Sequence, residues 1–259
     1  MDLGIAGRQA IVCASSRGLG RACAEALARE GVLVTINGRD AKVLEKTADE
    51  IRIAHSATVE TVVGDIEQEA TRAALLEACP QPDILVNNNG GPAPGRFEDW
   101  DRDAWIRALD SNMIAPTLMI RAVLDGMVER RFGRIVNITS AMVKTPLAPM
   151  GLSTGARAGL TSISKALSRQ VAHANVTLNN LLPERIDTDR QRFMAEMRAR
   201  IGGVTIEAAY DEMKKSIAAG RLGRPSEFGD ACAFLCSAQA GYISGQNLQL
   251  DGGSYPGLI

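Results

Sequence analysis

Histidine, aromatic side chains and paired cysteines are scarce in this 259-residue chain, and each scarcity removes a class of function. The two histidines, His55 and His173, lie far apart in sequence, so neither a histidine-based metal centre nor a histidine triad is indicated. Cys13, Cys23, Cys79, Cys232 and Cys236 are odd in number and form no C-x-x-C pair, which argues against a disulfide framework or a zinc site and for buried thiols. No apolar run approaches the ~18 residues of a membrane-crossing helix, and the start M-D-L-G-I-A-G-R-Q has no apolar signal core. A cytoplasmic protein without a membrane partner is the default expectation. Excess charge of one sign is also missing: 29 basic and 30 acidic residues are interspersed, leaving a net charge of −1. Nothing in that balance favours nucleic acid or a membrane surface, and a small-molecule partner is expected.

What the chain does have is regular alternation. Val-, Ile- and Leu-rich runs recur at Gln9–Cys13, Leu33–Asn37, Thr58–Val63, Ile84–Asn87, Arg134–Ile138, Thr177–Leu182 and Asn247–Leu250. Between them lie stretches of helical period such as Gly20–Glu30, Lys42–Ala54 and Glu67–Cys79. Strands alternating with helices predict an α/β fold, a single Rossmann-type doubly wound parallel sheet with helices on both faces. No linker or internal repeat divides residues 1–259, so one domain is expected.

The first strand runs into C-A-S-S-R-G-L-G, followed at once by a helix. A glycine turn in that place brings backbone close to a pyrophosphate and points a helix N-terminus at its charge, which makes Ser15, Ser16, Arg17, Gly18, Leu19 and Gly20 candidate dinucleotide contacts; an ordinary βα turn is the alternative. The second strand ends in Asn37 and Gly38 rather than an acidic ribose reader, and Arg39 follows. Arg39 with Arg17 suits the extra phosphate of NADP(H), although either arginine would also serve as a solvated surface charge. Asp65 and Ile66 are placed to flank an adenine. Asn87, Asn88 and Asn89 at the end of the fourth strand suggest amides tying neighbouring strands together, with Asn88 and Gly90 facing the ligand crevice.

Taken in order, these motifs resemble the short-chain dehydrogenase/reductase family along essentially the whole chain. C-A-S-S-R-G-L-G is similar to the family's T-G-x-x-x-G-x-G loop, N-N-N-G to N-N-A-G, and N-I-T-S to its fifth-strand serine motif. L-L-P-E-R-I-D-T-D stands where the family has P-G-x-x-x-T, and the ending G-Q-N-L-Q-L-D-G-G fits as well. The general texture resembles bacterial 3-oxoacyl-acyl-carrier-protein reductase-like members. The resemblance implies that Asn112 holds a proton-relay water, that Ser140 hydrogen-bonds the substrate carbonyl, and that Pro183, Ile186 and Thr188 contact the nicotinamide side of the cofactor. It also implies a substrate lid around residues 185–218, homotetramers built through the helices holding Asn112 and Arg157 with the C-terminal segment at another interface, and a carbonyl or acyl substrate.

Two positions depart from the family's pattern. Tyrosine is expected thirteen positions after Ser140 and lysine four positions later, yet the chain has Ser153 and Arg157. The following A-G-L keeps the register. A serine hydroxyl is a much weaker acid than a phenol, and Arg157 keeps the charge that can hold the nicotinamide ribose while differing in shape from an ammonium. Ala14 also replaces the first loop glycine, and Glu184 replaces the glycine after Pro183.

Three readings stay open from sequence: a carbonyl reductase with a substitute proton donor, a reductase of a conjugated alkene, and a nucleotide-binding or regulatory protein without turnover. For the first, Lys144 in the loop after Ser140 is the leading donor and Tyr210 the second. Met142, Leu147, Met150, Phe193, Met194 and Met197 are placed to form either an apolar pocket wall or core.

Overall fold

Short runs of Val, Ile and Leu with no polar alternation suit strands covered on both faces, since only parallel sheets flanked by helices bury both sides. The computed structural model, which describes residues 2–258, turns each run into a strand: β1 (Gln9–Val12), β2 (Leu33–Gly38), β3 (Val59–Val63), β4 (Ile84–Asn87), β5 (Gly133–Ile138), β6 (Val176–Pro183) and β7 (Asn247–Leu250). All neighbours pair in parallel, in the order β3-β2-β1-β4-β5-β6-β7. Strand order reverses beside β1, so the chain leaves β1 and β4 in opposite directions and opens a crevice at their carboxyl ends.

Two apolar clusters cover the sheet, one on each face. On one side, α1 (Gly18–Arg29), α2 (Ala41–His55) and α9 (Pro225–Cys236) pack on Ala10, Val12, Val34, Ile36 and Val136. On the other, α3 (Glu69–Ala78), α5 (Ala115–Glu129) and α6 (Gly151–Val171) cover Ile11, Leu85, Ile135 and Leu178. Helix α4 (Arg102–Leu109) lies against α6, and α7 (Asp189–Gly202) with α8 (Ile206–Lys215) forms the segment expected as a lid. All five cysteines are buried thiols. Among the described residues no helix is long and apolar enough to cross a membrane.

A chain of amides crosses the sheet inside this apolar frame. Parallel register puts Asn87, Asn137, Asn180 and Asn247 side by side on β4 to β7. The Nδ2 of Asn87 donates to Asn137 Oδ1 at 2.9 Å, that of Asn137 to Asn180 Oδ1 at 3.1 Å, and that of Asn180 to Asn247 Oδ1 at 2.8 Å. Asn137 also donates to Ser164 Oγ on α6, which fixes that helix against β5. The expected role of the Asn87 amide as a strand tie is met, and extended over four strands. Replacing Asn137 by Ala would leave partners on two strands and one helix unpaired, at about 1–3 kcal/mol for each buried polar group left unsatisfied. Chemical denaturation of Asn137→Ala is expected to show a loss of roughly 2–4 kcal/mol, well above the ~1 kcal/mol typical of a point change.

Candidate active site

The loop after β1 is built to keep a helix end open. Ala14 sits at φ 44°, the left-handed region that glycine enters freely, so a methyl-bearing residue holds a strained turn. That turn is held from three sides: Ala14 N–H donates to Asn37 Oδ1 at 3.2 Å, Asn88 Nδ2 donates to Ala14 O at 2.9 Å, and Thr47 Oγ1 donates to Ser16 O. Gly20 is required here, because a Cβ would lie 2.6 Å from Ala14 O and 2.7 Å from Asn88 Nδ2. Ser15 is fully buried; its hydroxyl donates to Val12 O and accepts from Asn37 N–H, so its side chain shapes the loop instead of facing the crevice.

Helix α1 then begins at Gly18 with no side-chain cap and no acidic residue in its first turn, as α5 and α6 also do, whereas Asp40, Asp101 and Thr205 cap α2, α4 and α8. Uncapped N–H groups at a helix start favour an anion. Gly18 faces Thr188 across the crevice, with a Cβ placed there 3.9 Å from Thr188 Cγ2. The expected cofactor residues of the glycine loop and of the segment after β6 therefore adjoin.

At the ribose end, Asn37 spends its amide on Ala14, Val62 and Gly64, and Asp40 spends its carboxylate on α2. No acidic reader is left at the end of β2. Arg39 is exposed and lies 3.6 Å from Asp65 Oδ2, Arg17 is exposed, and Ile66 is buried beside them. This donor set, cationic and without a ribose-directed carboxylate, fits a phosphorylated dinucleotide.

The helix expected to carry Asn112 is interrupted by a π-turn at Asp110–Ile114, which turns that side chain inward. Asn112 Nδ2 donates to Ser111 Oγ at 2.7 Å and to Gly90 O at 3.4 Å, while its Oδ1 is buried without a partner. A cavity of about 10 Å³, lined by Asn112, Arg157, Ser111 and Asn87 to Asn89, lies beside it. That is room for about one water.

Arg157 occupies the other side of this cavity. Its Nη1 donates to Ile138 O at 2.6 Å, its Nη2 to Asn89 O at 3.2 Å and its Nε to Ser153 Oγ at 3.2 Å. No carboxylate among the described residues pairs with it. Burial, with the field of Arg190, lowers its pKa to about 10, so it remains a cation at neutral pH. Gly91 closes over the pair, since a Cβ there would be 3.5 Å from Arg157 Nη2 and 3.6 Å from Ser153 Oγ. Ser153 and Arg157 are thereby 5% and 8% exposed. At these two positions stands a clamp between the last residue of β5 and the loop leaving β4.

Ser140 remains half-buried at the end of β5, where its Oγ accepts from Met142 N–H at 3.2 Å and keeps its own proton to donate. Lys144 follows a short turn and places its Nζ 5.2 Å from the centre of the Tyr255 ring. Tyr210 is half-buried on α8. None of the six residues at the expected apolar wall is core; Leu147 and Phe193 are 55% and 46% exposed. Glu184 lies 3.5 Å from Arg185 and lines a separate cavity of about 370 Å³ with Ile217, Gln249 and Leu250; burial raises its pKa. Sequence reasoning missed Arg190, which donates to Pro92 O at 3.0 Å above the Arg157 clamp, and Tyr255. The signal for both was position: Arg190 stands two residues after Thr188, and Tyr255 five after the end of β7.

Removing the Arg157 guanidinium strips donors from two buried carbonyl groups at about 1–3 kcal/mol each, less the relief of an unpaired buried charge. Thermal unfolding of Arg157→Ala is expected to shift down by roughly 5–15 °C, with Arg157→Lys intermediate.

A family profile described as Enoyl-(Acyl carrier protein) reductase matches residues 13–255. The NADPH-dependent reductase BacG of Bacillus subtilis is 32% identical over 95% of this chain and 97% of its own. The 3-oxoacyl-[acyl-carrier-protein] reductase FabG of Vibrio harveyi is 32% identical over 98% and 99%. Among solved structures, L-sorbose reductase from Gluconobacter frateurii, complexed with NADPH and L-sorbose, superposes with a TM-score of 0.94 at 26% identity over the full length of both chains.

Proposed function

The chain belongs to the short-chain dehydrogenase/reductase family, and from that premise we propose that it is an NADP(H)-dependent oxidoreductase moving hydride between the nicotinamide and a carbonyl or secondary alcohol of the 3-oxoacyl kind. The observation that carries the reading is the uncapped start of α1 facing Thr188, with Arg39 and no acidic reader at the end of β2. The relatives named as NADPH-dependent or crystallised with NADPH support the same cofactor.

When bound, the reduced nicotinamide supplies a hydride. The chain's own residues do the rest. The N–H groups of Gly18, Leu19 and Gly20 hold the pyrophosphate, Arg39 and Arg17 the 2′-phosphate, and Asp65, Ile66, Asn88 and Gly90 the adenosine side. Pro183, Ile186 and Thr188 line the nicotinamide end. Ser140 donates to the substrate oxygen, which polarises the carbonyl and steadies the negative charge that develops on it. Arg157 holds the loops after β4 and β5 at the spacing the ring needs, and Asn112 holds the water beside it. Lys144 supplies positive charge at the mouth of the crevice, and α7 and α8, with Phe193, Met194 and Met197 on α7, cover an apolar substrate against Met142, Leu147 and Met150. The reading extends to a cytoplasmic homotetramer packed through the helices of Asn112 and Arg157.

NADPH is expected to raise the melting temperature at concentrations where NADH does not, and Arg39→Ala is expected to weaken NADPH about 10–100-fold, the loss of one charge-assisted phosphate contact of about 1.5–3 kcal/mol, while leaving NADH unchanged. Oxidation of NADPH with 3-oxoacyl thioesters or simple ketones, against enoyl thioesters, then reads the reaction. No stabilisation by either nucleotide removes the cofactor assignment, and turnover confined to enoyl substrates moves the reaction from carbonyl to alkene.

A further inference from the structure

A reaction that adds hydride to a carbonyl needs a proton for the oxygen, and the position that should hold a phenol holds the closed Ser153. The chain has three tyrosines. Tyr242 is fully exposed before the amino end of β7, away from the crevice, and Tyr210 is half-buried on the lid with no cation over its ring among the described residues. Tyr255 differs from both in where the backbone puts it.

The tail leaves β7 at the carboxyl edge of the sheet, where Leu250 O accepts from Glu184 N–H at 3.0 Å, next to Pro183. Gly252 O then accepts from Ala219 N–H at 2.9 Å, which ties the tail to the foot of the lid. Asp251 fixes the next turn: its Oδ1 accepts from Gly253 N–H and its Oδ2 from Tyr255 N–H, both at 2.9 Å. Gly257 folds the end of the tail back over the ring, since a Cβ there would lie 2.5 Å from Tyr255 Cζ and Oη. Lys144 also approaches the ring, with Nζ 5.2 Å from its centre, within the range of a cation–π contact. Lys144 stands four residues after Ser140, in the loop that carries the carbonyl-binding hydroxyl.

We propose that Tyr255 is the proton donor of this site, with Lys144 as the cation that positions it and stabilises the charge left on it. This rests on the carbonyl-reductase reading above and gives Lys144 a supporting role in place of the donor's. The family's pairing of a phenol with an ammonium is thus rebuilt from the β5–α6 loop and the C-terminal tail, outside helix α6. In the reduction, hydride supplied by the bound reduced nicotinamide forms the new C–H bond as the carbonyl π bond breaks onto oxygen. That oxygen takes the proton from Tyr255 Oη, forming the alcohol O–H. The phenolate left beside Lys144 is reprotonated by solvent water, which reaches the half-buried ring. In oxidation the same proton travels back.

The test compares wild type, Tyr255→Phe, Lys144→Met and Lys144→Arg in the full chain, with NADPH affinity measured beside turnover. Tyr255→Phe keeps the ring and its contact with Lys144, so NADPH binding is expected to stay as in wild type. Its kcat for an unactivated ketone is expected to fall about 10²–10⁴-fold, the range for losing general acid catalysis, with little change in KM. The loss should shrink below about tenfold for the matching trifluoromethyl ketone, whose alkoxide needs far less help from an acid. Lys144→Met should lower kcat and Lys144→Arg restore most of it. A Tyr255→Phe enzyme within threefold of wild type, or one equally impaired on both ketones, overturns the assignment of Tyr255 while leaving the carbonyl reading standing. Wild type that binds NADPH and reduces no ketone overturns both.

Discussion

A buried guanidinium with no carboxylate partner among the described residues is the constraint around which the centre of this molecule is arranged. Taking a charge out of water costs several kcal/mol, and the cost is bearable only where good hydrogen-bond geometry replaces the lost solvent. Arg157 meets that requirement with two backbone carbonyls and one hydroxyl: Ile138 O from β5, Asn89 O from the loop after β4 and Ser153 Oγ from its own helix. Because those acceptors lie on three different elements, the guanidinium cannot be satisfied unless α6, β5 and the β4 loop are in place together. Arg134 follows the same logic at the other end of β5, donating to Ser237 O, Gly133 O and Asn175 O. The strand that carries Ser140 is therefore pinned at both ends by arginine, and in the middle by the Asn137 amide.

That arrangement separates two tasks which a tyrosine and lysine on one helix turn would perform together. The buried cation is inside, closed under Gly91, and the groups proposed to face substrate are outside it on Ser140, Lys144 and the tail. The proposed nucleotide contacts lie on the glycine loop, on α1 and at Thr188, apart from Ser153 and Arg157 on α6. Binding and proton delivery are then expected to respond to different substitutions.

The fold was legible because parallel strands buried on both faces leave apolar runs that few other structures share, and every run became a strand with ends shifted by one residue at most. The strained Ala14 was legible too, as a methyl group in a glycine's place, and its φ of 44° bears that out. The exchange at Ser153 and Arg157 was readable as chemistry but not as geometry. Spacing shows that a phenol is gone; it does not show that the guanidinium reaches two backbone carbonyls, since backbone acceptors leave no trace in a sequence. Arg190 and Tyr255 escaped for a related reason. Arg190 comes near the site from the first turn of α7 through a tertiary hydrogen bond to Pro92 O, Tyr255 through a tail whose path is set by such bonds, and neither lies within a motif.

The central claim is that this chain transfers hydride with its proton supplied from outside the Ser153–Arg157 pair. Restoring the family pattern in the double variant Ser153→Tyr, Arg157→Lys and measuring kcat for a 3-oxoacyl thioester tests it most directly. A rise of less than about tenfold over a wild type that already turns over is the predicted result, because general acid catalysis worth about 10²–10⁴ is already present. A rise of a hundredfold or more would contradict the account and mark the native site as one that binds without an effective acid.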